Sequence, residues 1–317
     1  MAPKIAPKII VITGPTATGK TRLSVELASE FDGEIVSADS MQLYRRMDIG
    51  TAKVTDEEKC GIPHHMIDVA EPSDAYSVAR YVQEADACIE DILSRGKVPL
   101  VVGGTNLYID SLIAGRDFAE NESDNALRDE LLAEYELIGG EKMLEKLREF
   151  DPERAEKLHP QDKRRIVRAI EVYELTGKTI TEHDEETKRI PPKYDAAMIA
   201  LDFSDRAELY ARIDARVDKM IAAGLFEEVQ SLLDEGLPEK CTAMQAIGYK
   251  EPAMYLRGEL AKDEAVALIK QESRRYAKRQ LTWLRRNEKL FWIRWVSSPD
   301  FSAARRLSTE YLHSQGL

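Results

Sequence analysis

The stretch Gly14-Pro15-Thr16-Ala17-Thr18-Gly19-Lys20-Thr21 constrains this chain more than any other. It fits G-x-x-x-x-G-K-[ST], a glycine-rich loop whose backbone amides cradle phosphate groups. The flanks agree with it. Lys8-Ile9-Ile10-Val11-Ile12-Thr13 is a short apolar run, which predicts a buried strand. Arg22 to Phe31 carries Leu23, Leu27 and Phe31 at i, i+4 and i+8, one face of a helix. Strand, loop and helix N-terminus aim several N–H groups at one point, where an anion of two or more phosphoryl groups is expected. Lys20 adds a point charge there, and the Thr21 hydroxyl is a candidate ligand for Mg²⁺. The loop does not say which phosphate ester enters, or whether a phosphoryl group moves.

The rest of the composition narrows the class. At 317 residues with 43% hydrophobic and 32% charged, the chain is long enough for one large or two modest domains with a buried core. No apolar run approaches the about 18 residues that a membrane span needs. Met1 to Lys8 has two lysines and no apolar stretch, so no secretory leader is expected. Cys60, Cys88 and Cys241 are scattered and odd in number, which argues against zinc and disulfides and for a reducing cytoplasm. His64-His65 are neighbours without an H-x-x-x-H spacing. No long apolar stripe demands a protein partner, so a monomer is expected.

A net charge of −12 by itself argues against nucleic acid, which needs cations at its phosphates. The average conceals a gradient. Lys270, Arg274, Arg275, Lys278, Arg279, Arg285, Arg286, Lys289 and Arg294 are opposed in their window only by Glu272 and Glu288. Trp283, Trp292 and Trp295 lie in the same window. It reads either as a helix with a solvated basic face before a tryptophan-anchored strand, or as a surface for a polyanion.

Along the chain, Gly33 to Asp39 reads as a second strand ending on an acid, with Ser40-Met41-Gln42-Leu43-Tyr44 at its tip. Strand ends face the phosphate loop in doubly wound folds, so Asp39 is expected near it, as a helix cap or a catalytic group. Ile62 to Val69 reads as extended, and Tyr76 to Arg95 as a helix with Val78, Val82, Ala85, Ile89 and Ile92 on one face. Lys97 to Thr105 is an apolar strand that ends in Gly103-Gly104-Thr105, where many phosphate-loop NTPases place an aspartate. Asp39 or Asp68 is available for that place. Arg116 to Arg189 is highly charged and predicts short amphipathic helices, including one over Gln161–Arg168 that groups Arg164, Arg165 and Arg168. Ala197 to Leu201 predicts a strand rejoining the sheet. The expected fold is α/β, a P-loop NTPase-like core with a parallel sheet over 1–115 and 197–317, interrupted by a mostly helical insertion over 116–196. Arg206 to Glu235 reads as helical, with Arg212, Arg216 and Lys219 in a stripe that either pairs with Asp205, Glu208 and Asp218 or clamps an anion. Ser297 to Leu317 predicts a terminal amphipathic helix.

Five stretches in this order carry a resemblance: 14–21, Ser37 to Tyr44, Met47 to Lys53, Gly103 to Tyr108 and Gln245 to Lys250. Together they resemble the bacterial tRNA dimethylallyltransferases, the tRNA isopentenyltransferase family, from the phosphate loop to about Trp295. That resemblance implies transfer of a dimethylallyl group from dimethylallyl diphosphate to N6 of the adenosine just 3′ of a tRNA anticodon. Gly14, Pro15, Thr16, Ala17, Thr18, Gly19, Lys20 and Thr21 would hold the diphosphate, with Thr21 on Mg²⁺. Asp39 would be the general base, and Arg216 a second clamp on the diphosphate. Asp39, Ser40, Met41, Gln42, Thr105, Arg128, Arg164, Arg165, Ile166, Val167, Arg168, Gln245, Gly248, Tyr249 and Lys250 would touch tRNA. A missing acid after Val102 suits a reaction in which no water is activated. The competing expectations are a small-molecule or nucleotide kinase and a non-catalytic RNA-binding NTP switch.

Overall fold

A computed structural model of the chain describes residues 6–115 and 125–317. The described residues contain six strands: β1 (Lys8–Thr13), β2 (Gly33–Ser37), β3 (His64–His65), β4 (Val98–Gly103), β5 (Asp195–Phe203) and β6 (Phe291–Trp295). They form one parallel sheet in the order β3-β2-β4-β1-β5-β6. β4 enters between β2 and β1, so the carboxyl ends of these three strands stand side by side. In a doubly wound sheet that edge is where ligands bind.

Helices of the sheet-bearing unit cover both faces, and the unit 116–192 adds five of its own among the described residues. α1 (Lys20–Glu30), α2 (Asp56–Lys59), α3 (Val78–Ser94) and α4 (Asn106–Ala114) belong to the first half of the chain. α5 (Asn125–Ile138), α6 (Gly140–Arg148), α7 (Pro152–Glu156), α8 (Lys163–Thr176) and α9 (Ile180–Arg189) follow. α10 (Arg206–Ala222), α11 (Leu225–Asp234), α12 (Lys250–Leu256), α13 (Lys262–Leu284) and α14 (Phe301–Ser314) complete it. None of them is long and apolar enough to cross a membrane.

The period of two along β1 divides the core. Ile9 and Val11 join one apolar cluster, with Tyr81, Ala85, Ile89 and Ile92 of α3. Ile10 and Ile12 join the other, with Leu23 and Leu27 of α1 and Leu281 of α13. Both faces are dry, which is why the strand reads as an unbroken apolar run instead of an alternation. Fully burying one such side chain contributes about 1.5–3 kcal/mol.

Two compact units result, 1–115 with 193–317, and 116–192. The expected boundary after 196 falls inside β5, whose pairing with β1 already begins at Asp195 opposite Lys8. The expected start of the insertion, 116–124, lies outside the described residues. The predicted helix over Arg206–Glu235 is two helices, because Gly224 takes φ +100°, which ends one helix and opens the next. The unit at 116–192 has its own core, built from Leu131, Met143, Leu144, Leu147, Ile166 and Ile170.

Candidate active site at the carboxyl edge of the sheet

The phosphate loop is held by its own atoms. Thr18 Oγ1 donates to the Pro15 carbonyl at 2.8 Å. Lys20 Nζ folds back onto the carbonyls of Gly14 and Pro15, at 2.9 and 2.8 Å. These are weak substitutes for phosphate oxygens, so the ammonium is available to an incoming anion. Burial, and then the neighbouring Arg216, pull the Lys20 pKa down to about 8, while Asp39 opposes them.

Asp39 stands across from this loop because β2 and β4 are neighbours. Ala38 N–H donates to Val102 O at 2.8 Å, and Thr105 N–H returns a bond to Ala38 O at 3.1 Å. Only glycine fits at 103, since a Cβ there would lie 2.1 Å from the Ala38 carbonyl oxygen. Ser40 N–H donates to Thr105 Oγ1 at 3.0 Å, and Met41 N–H to Asp39 Oδ1 at 2.9 Å. These bonds leave the second carboxylate oxygen of Asp39 to the cavity. That cavity, of about 50 Å³, is lined by Lys20, Thr21, Ser24, Ser37, Asp39 and Gln42 on its polar side. Ile35, Val54, Ile67 and Val102 add apolar surface, and His64 and Gly103 complete the lining. Among the described residues no three His, Cys, Asp or Glu cluster as a metal site.

The arginines of the basic stripe of α10 reach backbone carbonyls, while Asp218, one of their expected partners, pairs with Lys270. Arg216 Nη2 donates to Thr51 O at 3.3 Å, and its charge is felt at Lys20. Burial lowers the Arg216 pKa, opposed by Asp39 and then by Glu58. Arg212 Nε reaches Ala17 O in the phosphate loop at 3.2 Å. Both arginines therefore lean on the site, and the structure brings Asp39, Lys20 and Arg216 together. Asp68, the other acid available to replace the missing one after β4, is elsewhere. It pairs with Lys53 at 2.6 Å and does not line the cavity.

Gln280 was not foreseen. It is buried on α13, where Oε1 accepts from Thr16 N–H at 3.2 Å and Nε2 donates to Gly104 O at 2.9 Å. One side chain thus ties the phosphate loop to the Gly103–Thr105 turn. A signal existed: Ala277, Gln280, Leu281 and Leu284 recur at helical spacing, and a glutamine inside an apolar stripe needs partners. Tyr276, one turn earlier, lies against Thr105 and Gln280; burial, then Asp39, push its pKa to about 12. The basic window takes the first of its readings, a helix with a solvated basic face before a tryptophan-anchored strand. A helix and a tryptophan-anchored strand form, and Lys278, Arg279, Arg285, Arg286, Lys289 and Arg294 stay exposed, as does much of Trp283.

Burial divides the residues expected to touch tRNA. Ile166 and Val167 are 0% and 2% exposed, inside the core of the helical unit. Five consecutive residues cover more than one helical turn, so they cannot all share a surface. Arg164 and Arg165 are exposed, whereas Arg128 and Arg168 both pair with the buried Glu171, at 3.0 and 2.9 Å. Gly248 and Tyr249 are buried, whereas Gln245 and Lys250 are exposed. Ser40, Met41, Gln42 and Thr105 are half-buried around Asp39, as a site edge requires.

Two cations, a helix N-terminus and a glycine-bearing turn serve one kind of ligand, an anion with more than one phosphoryl group. The class is that of the phosphate-loop α/β enzymes. The IPP transferase family model matches residues 42–287, and the isopentenyl transferase model matches residues 7–69. The tRNA dimethylallyltransferase of Caldanaerobacter subterraneus subsp. tengcongensis is 49% identical over 304 residues, covering 96% of each chain. A solved tRNA isopentenylpyrophosphate transferase from Bacillus halodurans is 40% identical, with TM-score 0.73 over 98% of both chains. A eukaryotic dimethylallyltransferase acting on tRNA gives TM-score 0.81 at 32% identity, over 98% of this chain and 80% of that one. The chain belongs to the IPP transferase family and is a prenyl transferase. None of these relatives is a kinase, so the kinase expectation is not favoured.

Proposed function

We propose that this enzyme transfers the dimethylallyl group of dimethylallyl diphosphate to N6 of the adenosine just 3′ of the anticodon in tRNA. The observation that carries this is one cavity lined by a phosphate-loop lysine, a carboxylate and four apolar side chains. An adenine amino group is a poor nucleophile, so the allylic carbon–oxygen bond must be weakened as it attacks. The N6 lone pair forms the new carbon–nitrogen bond, the allylic C–O pair leaves with diphosphate, and the N6 proton passes to Asp39. The amides of 14–21, Lys20 and Arg216 would take the charge that gathers on the leaving group. One such preorganised donor contributes about 3–4 kcal/mol to the barrier. Thr21 offers a hard oxygen on the cavity wall and would hold Mg²⁺ together with the diphosphate, the ion supplying further positive charge.

The adenine must leave its stack to reach this cavity, so a flipped base is expected. Asp39, Ser40, Met41, Gln42 and Thr105 would meet that nucleotide. The exposed Arg164 and Arg165, Gln245, Lys250 and the basic end of α13 would meet its backbone, which lets an acidic protein bind RNA locally. Such an enzyme would work in the cytoplasm without an obligate protein partner.

The test is Asp39→Ala assayed with labelled dimethylallyl diphosphate and unmodified tRNA. Turnover should fall by about 10²–10⁴-fold while tRNA binding persists. Near-normal turnover would remove the base assignment, and label transferred from γ-labelled ATP instead would restore the kinase reading.

A further inference from the structure

Glu228 on α11 lines no part of the cavity, yet four donors converge on its carboxylate. Oε2 accepts the backbone N–H groups of Asp48 and Ile49 at 3.0 and 2.8 Å. Oε1 accepts Gly50 N–H at 3.2 Å and the Tyr249 hydroxyl at 2.6 Å. Successive N–H groups turned on one carboxylate make an anion nest, here filled by the protein itself. Tyr249 is fully buried, and its ring sits so close over Gly50 that a Cβ there would lie 2.4 Å away. The loop that these contacts fix continues into Thr51 and Ala52. Thr51 O accepts from Arg216 at 3.3 Å and from Gln42 Nε2 at 3.3 Å, and Ala52 O from the same amide at 3.4 Å. The two motifs 47–53 and 245–250 thus meet at one side chain, Glu228.

We infer that Glu228, completed by Tyr249, is a positioning residue that sets Arg216 toward the diphosphate through the 48–52 loop. The inference rests on the reading of the cavity as a diphosphate site. Its physical basis is acceptor geometry. Three of the four partners are backbone N–H groups that can only donate, so a glutamine must turn its NH₂ toward at least one of them, and toward Gly50 only if the Tyr249 hydroxyl reverses. The loop then relaxes, Thr51 O shifts, and the guanidinium loses its stop. A displacement of about 1 Å in a charged clamp is worth up to about 10²-fold.

The variants are Glu228→Gln, Tyr249→Phe, Arg216→Ala and the Glu228→Gln/Arg216→Ala pair. Each is titrated with inorganic diphosphate by calorimetry and assayed for prenyl transfer and tRNA binding, with melting temperature as a folding check. Glu228→Gln should weaken diphosphate binding and raise KM for the prenyl donor by about tenfold, with tRNA affinity unmoved. Tyr249→Phe keeps the ring and should cost about threefold; if Glu228→Gln fails to fold, it decides the matter alone. In the Arg216→Ala background the added Glu228→Gln should change binding by less than about twofold, because both act through one group. Additive losses, or wild-type diphosphate binding in both single variants, would overturn the inference. A wild-type protein that binds diphosphate but transfers no prenyl group would instead defeat the proposed function, and the titrations would still decide the role of Glu228.

Discussion

The indole N–H of Trp295 donates to the carbonyl of Thr18 across 2.9 Å, joining the last strand of the sheet to the phosphate loop after the first. Trp295 is 4% exposed. Beside it the Phe301 ring stands where a Cβ at Gly19 would be 2.6 Å away, and the Arg22 guanidinium stacks on that ring at 4.3 Å. Residues past the 287 limit of the family match therefore back the loop from outside the cavity.

Trp295→Phe keeps an aromatic ring there and removes one donor, a loss of about 1 kcal/mol. KM for the prenyl donor should rise about fivefold, with kcat and tRNA affinity held. Steady-state kinetics with each substrate varied in turn check this, and an unchanged KM would show that the loop holds itself.

Lys20 makes anion binding pH-dependent. Its pKa is lowered from 10.5 to about 8 by burial and by Arg216, so the ammonium is charged below about pH 8 and neutral above it. Once the ligand's own ionisation is allowed for, diphosphate affinity of the free enzyme should fall by up to about tenfold per unit above pH 8. Titrations in buffers of different ionisation enthalpy should show proton uptake near pH 8. The stability effect has the opposite sense. Between about pH 8 and 10.5 the unfolded chain holds this proton and the folded one does not, so the Lys20 contribution to stability rises with pH there. A flat affinity profile would place the ammonium outside the anion's reach.

In the helical unit, core and surface should separate cleanly. Ile166→Ala removes a side chain that is 0% exposed and should destabilise the protein by about 2–5 kcal/mol in denaturant unfolding. Arg164→Ala and Arg165→Ala should change stability by less than about 0.5 kcal/mol. Each should instead weaken tRNA binding and reduce its salt slope by about one. Arg128→Ala uncovers the buried Glu171 carboxylate and should therefore lower stability before it lowers RNA affinity.

The phosphate loop, the strand before it and the helix after it were legible because each is a local pattern: apolar run, glycine spacing, helical period. Asp39 was legible as a strand-end acid. Its meeting with Lys20 follows from β4 entering between β1 and β2, which no local pattern encodes. The segment at 245–250 shows the limit most clearly. Tyr249 and Lys250 are neighbours in sequence, but one is buried against Gly50 and the other faces water. Gln280 and Glu228 went unseen for the same reason, since their partners lie 264 and 180 residues away.

By itself the sequence determined a phosphate-cradling turn on a parallel α/β core, because backbone amides, glycine and a lysine at fixed spacing can do little else. Only the tertiary structure decided which polar side chains reach the cavity, which brace it from behind and which are core. That choice depends on strand order and on hydrogen bonds between distant residues, and a buried polar group keeps its place only where those partners meet it.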